Sequence, residues 1–161
     1  MPNVKQSRGA PLNTRTHLTD LVEDLKRVVG ARLLDPLDIL FGTGAELRER
    51  LDVYARQWAE SLLGEDDQAA AFTAVRLVRA LYPSDTPFDP PVAWWGTPFG
   101  RAVFRRAGHP SASAVPLSVA AAVLGITRQG VHDLTVRGKL MRDPAGGVTV
   151  DSVRARLASR T

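Results

Sequence analysis

Residues 116–161 read PLSVAAAVLGITRQGVHDLTVRGKLMRDPAGGVTVDSVRARLASRT, and the order of breakers in this stretch decides the reading of the chain. Ser118 predicts a cap for a short helix over 119–124, whose Ala120, Ala121 and Ala122 are small enough for another helix to cross closely. Gly125 supplies the left-handed residue that ends it, and Thr127 predicts the cap of a second helix running to about Val136. At ~100° per residue, Val131 and Leu134 share one side of that helix with its cap. Gln129, His132 and Val136 fall on roughly the opposite side, flanked by Arg128 and Asp133. Gly138 stops the helix. Lys139–Met141 and Val148–Val150 read as two short strands joined through Asp143-Pro144-Ala145-Gly146-Gly147, the turn chemistry of a hairpin. Asp151 predicts the cap of a last helix with Val153 and Leu157 inward and Arg154, Arg156 and Arg160 outward. A short helix, a glycine turn and a second helix with a polar, partly basic outer face make a helix-turn-helix, and the hairpin behind it makes a wing.

Charge singles out the same stretch. The 161 residues carry 21 Lys+Arg against 17 Asp+Glu, a formal net charge of +4. Residues 1–100 hold 11 basic and 14 acidic side chains, whereas residues 101–161 hold 10 basic and only 3 acidic, Asp133, Asp143 and Asp151. A mildly acidic front and a strongly basic rear predict that the rear meets a polyanion. Zero Cys excludes a disulfide scaffold, a Cys-ligated zinc site and a thiol nucleophile, and fits a reducing cytoplasm. No run approaches 18 apolar residues, so nothing in the sequence reads as a membrane span.

Outward from the rear, the front of the chain reads as helices. Residues 1–16 read as a flexible polar leader. Leu18, Leu21, Val22, Leu25, Val28 and Val29 recur at helical spacing behind Thr16 or Thr19, and Gly30 is the expected stop. Leu33 to Phe41, interrupted by Pro36, reads as a turn or short helix. A longer helix spans about Ala45 to Leu63, with Leu47, Leu51, Tyr54, Trp58 and Leu62 as its core stripe and Gly64 as its stop. Asp66 or Asp67 caps the next, with Phe72, Val75, Val78 and Leu81 inward, and Pro83 ends it. Residues 83–98 hold five prolines and predict no regular element until Thr97-Pro98, a capping hydroxyl followed by Pro at the first helical position. Trp94 and Trp95 are expected to cover the core.

Residues 116–157 resemble the winged helix-turn-helix of the MerR and excisionase superfamily, through Leu117-Ser118-Val119-Ala120-Ala121, Leu124-Gly125-Ile126-Thr127, Val131, Leu134 and Gly138-Lys139-Leu140. That resemblance covers about a quarter of the chain and implies sequence-preferring binding of duplex DNA, with the second helix in the major groove and the wing beside it. MerR-type regulators usually place this module first, ahead of a long coiled-coil helix, and many carry metal-sensing cysteines. Here the module comes last and the cysteines are missing. The fold class expected is mainly α: a helical dimerisation or partner-binding domain over 17–109, a linker over 110–115, and a winged helix-turn-helix with a small β-hairpin over 116–161.

Arg128, Gln129 and His132 are the expected base contacts, since major-groove edges offer donors and acceptors that these side chains match. Arg137, Lys139 and Arg142 are the expected phosphate contacts, with Ser118 and Thr127 as hydroxyl or helix-terminus contacts. Asp133 is expected to pair with Arg137 one turn on. Nothing in the chain reads as catalytic or as binding a metal or cofactor. Phe41-Gly42-Thr43-Gly44 lacks the preceding strand and third glycine of a phosphate loop, and no His pair has metal spacing. The expected protein is a cytoplasmic, nucleoid-associated transcriptional regulator, homodimeric through its front helices. The alternatives are an excisionase-like or partition-type DNA-architecture factor, or an interaction adaptor that binds no DNA.

Overall fold

The computed structural model describes residues 12–160, so the expected leader lies outside the described residues as far as Pro11. From Leu12 the chain is already helical: α1 is Leu12–Val29. Thr19 lies inside this helix, where its hydroxyl donates to the Arg15 carbonyl at 3.0 Å, so the predicted start is corrected to an earlier turn. Gly30 does not end the helix either. A π-helical turn, Gly30–Leu34, leads directly into α2, Asp35–Phe41. Pro36 explains the change of register. It has no N–H to give, and the wide turn, closed by the Asp35 N–H on the Gly30 carbonyl, places it in the first turn of a fresh helix.

Helices α3 (Ala45–Leu63) and α4 (Asp67–Leu81) have the predicted extents, and the Asp66 carboxylate caps α4 by accepting from the Ala69 N–H at 3.0 Å. Their inward faces are corrected in part: Leu51, Leu62 and Leu81 are buried and Leu47, Trp58 and Val78 pack on the core as expected, but Tyr54, Phe72 and Val75 do not. Helix α3 buries Leu51, Ala55, Ala59 and Leu62, while Tyr54 is exposed and stacks on half-buried Trp58. Helix α4 buries Ala70, Ala74, Leu77 and Leu81, leaving Phe72 67% exposed and Val75 also outside. Alanines line these faces because α3 and α4 pack on each other and on the same later helix, and bulky side chains at the crossings would hold the backbones apart.

The proline-rich segment is also more regular than predicted. Between Pro91 and Pro98 it has no proline, which leaves room for one turn, α5 (Val92–Trp95), before α6 (Pro98–Ala107). Thr97 caps α6 as expected, accepting from the Gly100 N–H at 3.0 Å. Buried Asp24 of α1 holds the same terminus by accepting from the Phe99 N–H at 2.9 Å. Helix α6 is the hub of the fold, in contact with α1, α3, α4 and α5 on the front side. Trp95 is fully buried, and Trp94 meets it edge-on while donating from Nε1 to the Tyr82 hydroxyl at 3.0 Å.

The rear adds β1 (Ala114–Val115), α7 (Leu117–Leu124), α8 (Arg128–Val136), β2 (Val148–Thr149) and α9 (Val150–Ala158). The sheet corrects the expected hairpin: β2 pairs antiparallel with β1, Ala114 opposite Thr149 and Val115 opposite Val148. Residues 139–141 form no strand, and that side of β2 carries a single bridge, Arg142 to Val148. Val150 is the first residue of α9, whose cap is Thr149 rather than Asp151; its Oγ1 accepts from the Ser152 N–H at 3.3 Å. Ser118 caps nothing, because α7 starts behind Pro116, two residues earlier than the expected cap would place it. Helices α7 and α9 both pack on α6, and one continuous core runs from Leu21 and Leu25 through Trp95 and Phe104 to Val115, Val131 and Val153. Among the described residues no helix is long and apolar enough to cross a membrane.

Candidate functional site

Apart from Ser118 in α7, the residues singled out on the sequence lie on or just after α8 or at its cap, and the local chemistry that orients them starts in α7. Val119, Ala120 and Ala121 are buried beneath α5 and α6. The helix closes with a Schellman motif: the Ile126 N–H reaches the Ala121 carbonyl at 3.1 Å and the Gly125 N–H the Ala122 carbonyl at 3.3 Å. This geometry needs Gly125, whose φ is +65°. Thr127 then starts α8, its Oγ1 accepting from the Gly130 N–H at 3.0 Å. The cap expected there is formed, and the threonine retains only its hydroxyl hydrogen for an outside acceptor.

Helix α8 rests chiefly on α7. Val131 is fully buried and Leu134 half-buried against the core, while Arg128, Gln129, Asp133 and Val136 are exposed. The side predicted to be free is thus the side that faces solvent, with His132 half-buried at its edge. Two contacts order this surface. Gln129 donates from Nε2 to Asp133 Oδ1 at 3.0 Å, which corrects the expected Asp133–Arg137 pair. The turn that ends α8 leaves Arg137 at the C-cap, exposed, with its backbone N–H on the Asp133 carbonyl at 3.0 Å. Arg142 reaches back from the following loop to place Nη2 at 3.1 Å from His132 Nδ1. A guanidinium can only donate, so Nδ1 accepts and the hydrogen of a neutral His132 sits on Nε2.

The loop after α8 is built on Asp143. The Asp143 N–H donates to the Gly147 carbonyl at 3.1 Å, its carbonyl accepts from Gly146, and its carboxylate accepts from the Ala145 N–H at 2.9 Å. The Met141 N–H is held by Ser152 Oγ of α9 at 3.1 Å. This places Arg137, Lys139 and Arg142 on exposed backbone around the end of α8. Among the described residues, the side chains of Arg128, Arg137 and Lys139 have no hydrogen-bond or ion-pair partner. Ser118, in the first turn of α7, is half-buried.

Four of the six other rear cations, Arg101, Arg106, Arg154 and Arg160, are spent on the fold, which the sequence did not reveal. Arg106 is 8% exposed and donates to the Leu62 and Gly64 carbonyls at the end of α3, at 2.8 and 2.6 Å. Arg154 donates to the Arg105 and Arg106 carbonyls at the end of α6, at 2.9 and 3.0 Å. Arg160 and Arg101 donate to the Leu124 and Ala122 carbonyls at the end of α7, at 2.7 and 3.3 Å. In the front, Arg32 does the same for α4 through the Leu81 carbonyl at 2.6 Å. A guanidinium suits this place because helix C-termini present unpaired carbonyls at the negative end of the helix dipole. Burial and the neighbouring Arg160 charge push Arg101 below its ordinary range.

Arg101, Arg106, Arg154 and Arg160 therefore close helix ends, whereas Arg128, Arg137, Lys139 and Arg142 close none. His132 has no metal-binding company, since no cluster of three or more His, Asp or Glu side chains among the described residues has the geometry to hold a metal ion. No protein-family model, curated protein or solved structure matches the chain.

Proposed function

We propose that the chain is a sequence-preferring double-stranded DNA-binding protein and a cytoplasmic transcriptional regulator, with residues 116–157 acting as a winged helix-turn-helix of the MerR and excisionase kind. The observation that carries this reading is the division of α8: Val131 is buried while Arg128, Gln129 and Val136 face solvent, next to unpaired Arg137 and Lys139. Lying in the major groove, α8 would present Arg128 to a guanine edge, and Gln129 through its Oε1 and remaining amide hydrogen. His132 would donate from Nε2, since its Nδ1 is engaged by Arg142. Val136, 73% exposed, offers apolar surface to a thymine methyl. Arg137, Lys139 and Arg142 would meet phosphates, joined by the hydroxyls of Thr127 and Ser118, and the loop over 138–149 serves as the wing.

A module of this size buries only ~600–1,000 Å² on DNA, which favours use in pairs. The front helices are the proposed site of homodimerisation, with half-sites ~34 Å apart on a two-fold operator. Leu37, Ile39, Leu40 and Phe41 of α2 are all exposed, and this favours a protein contact at the front. The same observation supports the second reading, an adaptor whose business is protein binding. A tandem-site excisionase-like or partition-type architecture factor differs from the first reading only in how its sites are arranged.

Selection of bound sequences from random duplex DNA, repeated across salt concentrations, tests the proposal. One enriched motif, a steep loss of affinity with salt, and relaxation of one position in Arg128→Gln are expected. Weak binding that no sequence enriches and that Arg128→Gln and Arg137→Gln leave unchanged refutes it.

A further inference from the structure

An open pocket of about 520 Å³ lies where α4, α6 and α9 meet, well within the roughly 300–1,000 Å³ of small-molecule sites. Arg105, Arg106 and Arg154 line it, faced by one carboxylate, Asp67, while Ala71 and Ala155 leave the space open. Two of the guanidiniums are held rigid by the helix ends they close. Arg106 is fixed by the Leu62 and Gly64 carbonyls and by Asp67 at 2.5 Å, and Arg154 by the Arg105 and Arg106 carbonyls. The Arg105 side chain, half-buried, has no hydrogen-bond or ion-pair partner among the described residues. Three cations against one carboxylate, two of them already ordered, form a preorganised anion receptor.

We propose that this pocket binds a small phosphorylated molecule, its phosphoryl oxygens taken by the free fork of Arg105 and the unspent N–H groups of Arg154. Burial and the adjacent Arg106 charge push Arg105 below its ordinary range, with Asp67 offsetting only part, so a bound anion relieves an unfavourable field. The pocket joins α4 of the front to α9 at the end of the chain, and an occupant would tie the two together. It is independent of the DNA reading, because its lining includes no residue of α8 or of the loop that follows.

The test is thermal unfolding of the full chain titrated with inorganic pyrophosphate at constant ionic strength. A saturable rise is expected; at ten times the Kd the folded-to-unfolded ratio increases about elevenfold. Arg105→Gln should abolish the rise, and Arg79→Gln, which removes an exposed charge elsewhere on α4, should keep it. In two-dimensional NMR of the unmodified chain, pyrophosphate should shift the amides of Asp67, Ala71, Arg105 and Ala155 and spare those of 128–137. No saturable rise, an equal rise in Arg105→Gln, or shifts confined to 128–137 would overturn the proposal. A duplex oligonucleotide that shifts the pocket amides in place of pyrophosphate would overturn the small-molecule assignment, making the pocket a backbone-phosphate contact.

Discussion

Arg106→Met keeps most of the buried stem and deletes the fork, which isolates what the guanidinium does. The Leu62 and Gly64 carbonyls lose partners at 2.8 and 2.6 Å, and Leu62 is fully buried, so water replaces the first of them poorly. Each orphaned carbonyl costs about 1–3 kcal/mol. The Asp67 pair adds little, since the Asp67 side chain is 92% exposed and such pairs are worth about 0–1 kcal/mol. The expected loss is about 3–5 kcal/mol, in the range for breaking a buried charged network. For a chain of this size that corresponds to roughly 6–20 °C in Tm. Equilibrium urea unfolding followed by circular dichroism, with the slope unchanged, measures it. Asp67→Asn should cost less than about 1 kcal/mol in the same assay. A loss below about 1 kcal/mol for Arg106→Met, or equal losses for the two variants, would refute the claim that capping α3, rather than the ion pair, is the function of this arginine.

Two further outcomes follow from the packing. Gly100→Ala would ordinarily strengthen a helix by about 1 kcal/mol. Here the new methyl would collide with the Trp94 carbonyl oxygen where α5 crosses α6, so the variant should be destabilised by about 2 kcal/mol or more, and a gain in Tm would contradict the described crossing. His109 packs on Trp95, and burial holds its pKa below the usual 6.5, only partly offset by Asp89. The fold thus favours the neutral ring: the unfolded chain binds the extra proton first, and stability is full above the unfolded pKa and falls as pH drops through 6.5 towards the folded value. His109→Phe should flatten the stability curve as pH falls through 6.5, and identical curves for the two proteins would dismiss the assignment.

What local chemistry dictates was legible in the sequence. Caps at Asp66, Thr97 and Thr127, the left-handed Gly125 and the extent of α3 each depend on a few neighbouring residues. The solvent-facing side of α8 followed from helical spacing, because Val131 and Leu134, three residues apart, share the side opposite Gln129 and Val136. Long-range chemistry was hidden. The carbonyls served by Arg106, Arg154 and Arg160 lie 36–49 residues away, so those side chains look like any exposed basic residue. Within the expected stripes of α3 and α4 only Tyr54, Phe72 and Val75 stand outside, because a bulky apolar side chain attracts a core assignment where close helix crossings select alanine. The strand beside β2 was misjudged for a related reason: hairpin chemistry at 143–147 is local, but the partner at 114–115 lies more than thirty residues upstream.

That upstream partner has a practical consequence for anyone excising the last third of this polypeptide. The small ladder straddles Pro116, with Ala114 and Val115 before it and Val148 and Thr149 after it, and the Ser113 carbonyl also holds the Val150 N–H at 2.9 Å. A fragment trimmed at the start of α7 would lose the outer rail of its sheet and the anchor of its final helix together. A stand-alone piece therefore has to begin no later than Ser113.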